Sequence, residues 1–504
     1  MSREGPGGSL AGVGSPRRWG RGPASLSSRR NEAVVSTAVR VPEGAVSPPR
    51  LGRRSIGALG ILALALGTLQ SVVEPALPLL QRELGVGPAE GALVGSALLI
   101  TGAVLTPVAG KLGDRYGGKR VLLSLMAVVA VGGLLSALAP NLPVLLVGQA
   151  LQGVMVGALP LSFILVRRHL TTGESQAAVG VVLALFAGGS AIGMSVAGPI
   201  AHGLSWQWIF ALPTVVVVAA ALAVAVWMPH DPPASSGDRI DWAGVALLSG
   251  TLFALMVGLA LVSSGDLSPL AIAGVLVVVV GLASWWVLVE RRAAAPMVDL
   301  RMLTAPVTGR SFLLTLVISV MFGIVGLLLP QVFAAPVDGY GFGLSTGEIG
   351  LLLLPAAVAG ALSDSVGGLA ARRLGARRVV LMAMGVAAVV LAALVWLHDA
   401  AWQLVAAKVL IAFAVGVGTT ALLATTAVAV KAEDTGIATS LLVVTRVVGA
   451  VVGAQVAGGI LEAGAGPATG LPTEPAFVTG LVVAGLATAL SLVVVRTSRK
   501  GTWA

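Results

Sequence analysis

Three charged residues stand inside long apolar runs, where charge has to have a reason. Glu74 lies in TLQSVVEPALP, one helical turn after Gln70 and directly before Pro75. Arg446 lies about ten residues into an apolar stretch that begins near position 437, and Lys408 lies early in another, 402–428. A charged side chain at membrane depth costs several kcal/mol and turns toward a bundle interior or a wet cavity. A carboxyl in such a cavity holds a proton or a cationic group, but not both. Arg446 has the charge to pair with Glu74 or to hold an anionic group. Lys408 either brings a cation to the interior or snorkels to the outer interface, the simpler expectation. Gln149 and Gln152 are three residues apart and share a face with Gly153. They either line the cavity or bond neighbouring helices. Structural alternatives stand beside these readings: Glu74 among outer headgroups, Arg446 tied to backbone carbonyls.

The elements that position these groups are membrane spans. Of the 504 residues 56% are hydrophobic and 11% charged, against roughly 25% charged in a soluble domain. Apolar runs recur at roughly 56–80, 91–110, 121–139, 142–165, 177–202, 206–228, 242–263, 269–289, 311–335, 347–368, 379–397, 402–428, 437–461 and 475–495. Each is long enough to cross about 30 Å of hydrocarbon. This predicts an all-α membrane protein of fourteen spans. Residues 1–54, rich in Gly, Ser, Pro and Arg, read as a disordered tail. No signal-peptide pattern precedes the first run.

Charge placement orients the spans. With the N-terminus inside, 29 of the 32 Lys and Arg residues fall on inside segments; outside loops hold only Arg82, and the other two are Lys408 and Arg446. That asymmetry puts both termini in the cytoplasm. It also accounts for the net charge of +10 without nucleic acid. Trp206, Trp208, Trp227, Trp242, Trp285, Trp286, Trp396 and Trp402 stand at span ends, as interfacial anchors do. There is no cysteine, the four histidines lack ligand spacing, and no GxxxxGK[ST] loop occurs. Metal, cofactor and enzyme chemistry are therefore not expected.

The chain repeats itself. A shift of 258 residues brings Pro78 onto Pro336, Gly85 onto Gly343, Glu90 onto Glu348 and Gly110 onto Gly368. It also brings Arg115 onto Arg373, Gly117 onto Gly375 and Arg120 onto Arg378. At a shift of 260, Gly189, Gly193 and Gly198 meet Gly449, Gly453 and Gly458. Span 2 thus answers span 10, a step of eight. Two six-helix bundles related by a pseudo-two-fold, with one extra helix pair between them in the chain, produce that step. Such parallel repeats place a binding cavity near the midplane, between the halves. The expected bodies are 55–228 and 311–496, with the additional pair in 229–310 and a short tail at 497–504.

The loop GKLGDRYGGKR, Gly110–Arg120, joins spans 2 and 3 on the inside. Its glycines allow a tight turn and close helix approach. Gly113, Asp114, Arg115, Gly117 and Arg120, with Asp364 and Arg373 in the second half, form a candidate latch that engages and releases as the halves rock. A solvated basic loop is the alternative. The spacing resembles the signature loop GxLaDrxGrkxxl of the major facilitator superfamily. GMSVAGPIAHG, with Gly193, Gly198, Pro199 and Gly203 in span 5, is similar to the GxxxxGPxxGG motif of its antiporters; plain helix packing would use the same glycines. SWQWIFALP, DWAGVALL, VERRAAAPMVDLRML and GFGLSTGEIGLLLLP are similar to landmarks of the fourteen-span drug:proton antiporter-2 family. The resemblance covers roughly 56–495. It implies a monomeric exporter of small hydrophobic or amphipathic compounds driven by protons, in a bacterial inner membrane. Three positions depart from it: Leu69 where the family carries Asp, Gln149 where it carries Arg, and Gln207 where it carries Arg. A narrower metabolite exporter, an uncoupled facilitator, and a non-transporting sensor or assembly subunit on the same scaffold therefore also fit the residues.

Overall fold

The computed structural model describes residues 52–229, 241–263, 268–293, 306–337, 340–430, 435–466 and 472–497. The side chains of Asp114 and Asp364, the tail expected before position 52 and the segment after 497 lie outside the described residues. The first half holds α1 (Arg53–Ser71), α2 (Val73–Leu84), α3 (Pro88–Tyr116), α4 (Gly118–Ala137), α5 (Leu142–Gly153), α6 (Ala158–His169), α7 (Thr172–Gly203) and α8 (Trp208–Trp227). The extra pair is α9 (Trp242–Ser263) and α10 (Pro269–Arg292). The second half holds α11 (Pro306–Ala334), α12 (Thr346–Leu374), α13 (Ala376–Leu394), α14 (Ala401–Ala429), α15 (Thr435–Ala463) and α16 (Glu474–Thr497). Among the described residues thirteen helical segments are long and apolar enough to cross a membrane. The expected seventh span is a single helix, Trp242–Ser263, and its sequence is apolar almost throughout.

Two spans expected to be continuous are broken. Span 1 is α1 plus α2, interrupted at Val72. Pro75 has no N–H to give the Ser71 carbonyl, so the hydrogen-bond ladder stops there. Val72 keeps helical angles (φ −67°, ψ −26°), so the axis continues. The break makes Glu74 a first-turn residue of a new helix, where N–H groups and dipole favour a carboxylate. Span 4 is α5 and α6 joined by a 3-10 turn, Val154–Gly157.

The packing repeats as the sequence does. In the first half α1 packs on α7 and α8, α4 on α5 and α8, and α3 on α5. In the second half α11 packs on α15 and α16, α13 on α14 and α16, and α12 on α14. The four glycines with positive φ are two repeat pairs: Gly85 (66°) with Gly343 (62°), and Gly117 (91°) with Gly375 (82°). Only glycine takes such angles freely, so these positions fix the turns at the two ends of spans 2 and 10. One repeat match is corrected. A Cβ on Gly189 would lie 2.0 Å from the Leu64 carbonyl oxygen, and one on Gly449 2.5 Å from that of Leu316. Those contacts make Pro330, inside α11 as Pro78 is inside α2, the counterpart of Pro78 rather than Pro336. The connection that follows is longer in the second half, 335–345 against 85–87, and absorbs the slip.

The halves meet along two equivalent seams, α7 on α12 and α3 on α15. Small residues let the backbones touch. A Cβ on Gly198 would lie 1.9 Å from the Gly347 Cα, and one on Gly458 2.6 Å from the Ala89 Cα. Both approaches lie near the face that carries Gly85 and Gly343. Gln331 Nε2 donates to Gln81 Oε1 there at 2.7 Å, linking the halves through two buried amides. The extra pair is central in the chain but peripheral in space. Its α9 covers the α3–α15 seam, while the main neighbour of α10 is α9. Leu270, Val277 and Val280 on α10 are exposed, as lipid-facing residues are.

Candidate functional site

Between the halves lies a cavity of about 540 Å³, within the roughly 300–1,000 Å³ of small-molecule sites. Both halves contribute to it. Gln70, Glu74, Gln149, Lys408 and Arg446 all line it, so five of the six residues expected on a substrate and proton pathway meet at one place. The remaining lining is mostly apolar, with Met194, Phe322 and Leu353, plus the hydroxyls of Ser96, Ser319 and Thr419.

An ion pair that joins the halves lines the cavity. The Lys408 ammonium donates to Glu74 Oε1. The Lys408 side chain is 7% exposed and that of Glu74 36%. Lys408 therefore does not snorkel to an interface. Its helix, α14, points it into the cavity, and the carboxylate at the start of α2 meets it. Of the two options for Arg446, pairing with Glu74 is not the one formed, since that carboxylate is held by Lys408. Arg446 is exposed to the cavity and has no hydrogen-bond or ion-pair partner among the described residues.

Gln149 and Gln152 are fully buried and belong to a network inside the first half. Gln149 Nε2 donates to Ser136 Oγ at 3.2 Å and to Gln152 Oε1 at 3.2 Å. Gln152 Nε2 reaches the same Ser136 hydroxyl at 3.4 Å. Gln152 thus ties α5 to α4, while Gln149 also reaches the cavity. Ser136 is the member that sequence reasoning misses, since a lone serine in an apolar run carries no signal until its neighbours are known.

The latch residues lie at the opposite end from Gly85 and Gly343. Arg115, Arg120 and Arg373 are exposed, and Arg115 stacks on Tyr116 with its guanidinium carbon 5.4 Å from the ring centre. Gly113 packs against Leu161, where a Cβ would come within 2.4 Å, and Gly110 meets only Ile164 at 3.9 Å. Two basic residues of these loops that the expected latch omits have a definite task. Lys119 donates to the carbonyls of Ala225, at 2.7 Å, and Met228. Its repeat counterpart Arg377 donates to those of Val495 at 3.3 Å and Arg496 at 3.1 Å. Each caps the end of its half's last helix, where carbonyls lack partners and the dipole favours a cation.

In span 5, Gly193 packs on Thr68, with a Cβ position 2.5 Å from its carbonyl oxygen, and Gly198 forms the α7–α12 seam. Gly203 has nothing within 4 Å of its Cβ position. Pro199 lies within α7 without ending it. No group of three or more metal-ligating side chains occurs among the described residues.

The family model described as Major Facilitator Superfamily matches residues 59–248 and 311–504, leaving out the stretch that holds most of the extra pair. The chain belongs to the Major Facilitator Superfamily. An uncharacterised MFS-type transporter of Mycobacterium tuberculosis is 30% identical over 85% of this chain, which spans 62% of that relative's length. A tetracenomycin C resistance and export protein of Streptomyces glaucescens is 28% identical over 62% of this chain and 59% of its own. The crystal structure of the nucleoside transporter NupG aligns with a TM-score of 0.61 at 14% identity, covering 88% of this chain and 99% of that one. At that identity the likeness establishes the facilitator fold alone. The pseudo-two-fold packing and central cavity of this chain are those of a facilitator, a multi-pass membrane protein.

Proposed function

We propose that this chain is a secondary active transporter exporting small hydrophobic or amphipathic compounds across a bacterial inner membrane, by proton antiport with alternating access. One observation carries the reading: an inter-half ion pair, Glu74 with Lys408, sits inside the cavity where the two bundles meet. Charge buried at a midplane cavity is how a carrier couples an ion to a substrate. The family's usual arginine is missing at Gln149. By the repeat, Lys408 stands next to the counterpart of Gln149, so the cation enters from the other half.

The rocking bodies are 55–228 and 311–496, with the pair in 229–310 riding on one seam. Both termini lie in the cytoplasm, which makes the Gly85/Gly343 face the outer one. The tight contacts gathered there support a state closed to the outside, with Arg115, Arg120 and Arg373 of the latch loops free of each other. The chain works as a monomer on small molecules and protons, with no nucleic-acid partner. The resistance and export named for the Streptomyces glaucescens relative support export of antibiotic-like compounds.

The test is ethidium accumulation in an efflux-deficient bacterial host. Cells making the protein accumulate less dye than vector controls, and an uncoupler removes the difference. Equal accumulation in both strains, or a difference that survives the uncoupler, contradicts the proposal.

A further inference from the structure

We propose that Lys408 is the residue that gives up the exchanged proton, and that the cavity exchanges it for one monocationic amphipathic compound. The inference rests on the export reading above and adds which group moves the proton and what charge the substrate carries. The two members of the ion pair differ in access. Glu74 is 36% exposed and faces the cavity, whereas Lys408 is 7% exposed and has the Glu74 carboxylate as its hydrogen-bond partner. A cationic group entering the cavity therefore reaches Glu74 and displaces an ammonium for which no second anion lines the cavity among the described residues.

Charge counting leads to the same step. The charged residues that line the cavity are Glu74 on α2, Lys408 on α14 and Arg446 on α15. The described lining contributed by α3, α5, α7, α11 and α12 is uncharged. With the pair formed, Arg446 leaves the cavity at a net charge of one positive. A cation that bound without proton loss would raise this to two in an apolar site, where like charges repel strongly. If the displaced Lys408 changes from –NH₃⁺ to –NH₂, releasing its proton to cavity water, the charge stays at one. The substrate cation then rests on the Glu74 carboxylate. When it leaves, Lys408 takes a proton back and the pair re-forms. Proton and cation are mutually exclusive, as antiport requires, and one proton is exchanged per substrate.

The experiment uses tetraphenylphosphonium, a permanent cation with no proton of its own, and the full chain in lipid nanodiscs near neutral pH. Binding is measured with the radiolabelled cation, and released protons by indicator absorbance in weak buffer. The wild type is expected to release close to one proton per cation bound. Lys408→Arg keeps the pair but holds its charge, so it binds about tenfold or more weakly and releases none. Lys408→Met removes the internal cation and binds at least as tightly as the wild type, again without release. Proton release from either variant equal to the wild type's overturns the inference, because Glu74 or another group is then the source. A wild type that does not bind the cation overturns the inference and leaves the export reading to the uncoupler test above.

Discussion

At the residue scale the account depends on partners as much as on types. Glu74 and Lys408 each hold the other's charge, so removing one leaves an uncompensated charge in an apolar site. Breaking such a pair costs more than replacing both members. Glu74→Gln and Lys408→Met are each expected to melt below the wild type in detergent, and the double variant to recover much of the loss. Melting temperatures from intrinsic fluorescence read this directly, and a double variant as unstable as the sum of the singles would contradict it. Gln149→Leu removes the donor that holds Ser136 and Gln152, leaving buried acceptors short of a partner. The expected loss is about 1–3 kcal/mol, seen as a lowered melting temperature. Glu74, Lys408 and Arg446 are legible in the sequence because charge in an apolar run stands out. Which of the two cations meets the carboxylate is not, since that depends on how α2 and α14 face each other across the cavity. The snorkelling option for Lys408 stays open in the sequence too, because a residue near a span end looks the same whichever way its helix turns.

At the scale of elements, a few backbone features do most of the positioning. Pro75 breaks span 1 beside Glu74, and with the structure in hand one missing N–H explains the break. In the sequence alone the proline is equally compatible with a continuous bend. The repeat glycines are more legible. Gly85, Gly117, Gly343 and Gly375 pair at one shift, and all four take positive φ. The mismatch of Pro78 with Pro336 comes from extending that shift across a connection whose length differs between the halves. Lys119 and Arg377 look like ordinary members of inside basic loops, yet each closes a helix end. Lys119→Ala or Arg377→Ala removes a cation and a donor from a helix C-terminus, with an expected cost of about 0.3–1 kcal/mol each. The two should behave alike in thermal unfolding, as repeat counterparts. Gly198→Val is a stronger change. Its side chain would enter the space of Gly347 and push α7 and α12 apart near the Gly85/Gly343 face. Cysteines placed at Gly95 or Gly326, both lining the cavity, are expected to react faster with an impermeant maleimide from the outside in that variant; unchanged labelling would contradict the seam's role.

At the scale of the whole molecule, the spans, the repeat and the extra pair are visible in hydropathy and spacing. The position of the pair outside the bundle is not, because order along the chain does not say which seam a helix covers. Closure of one face is likewise invisible, since it rests on contacts between residues such as Gln81 and Gln331, 250 positions apart. Alternating access requires that contact to open. Cysteines at both positions, oxidised to a disulfide, are expected to stop transport, and reduction to restore it; flux through the cross-linked form would contradict the rocking of the two bundles.

The most direct measurement is ethidium transport in proteoliposomes under an imposed pH gradient, wild type against Glu74→Gln. The account predicts gradient-driven dye movement by the wild type and its loss, to the level of protein-free vesicles, in the variant. Movement at the wild-type rate after Glu74→Gln would show that the paired carboxylate in the cavity does not couple transport to protons.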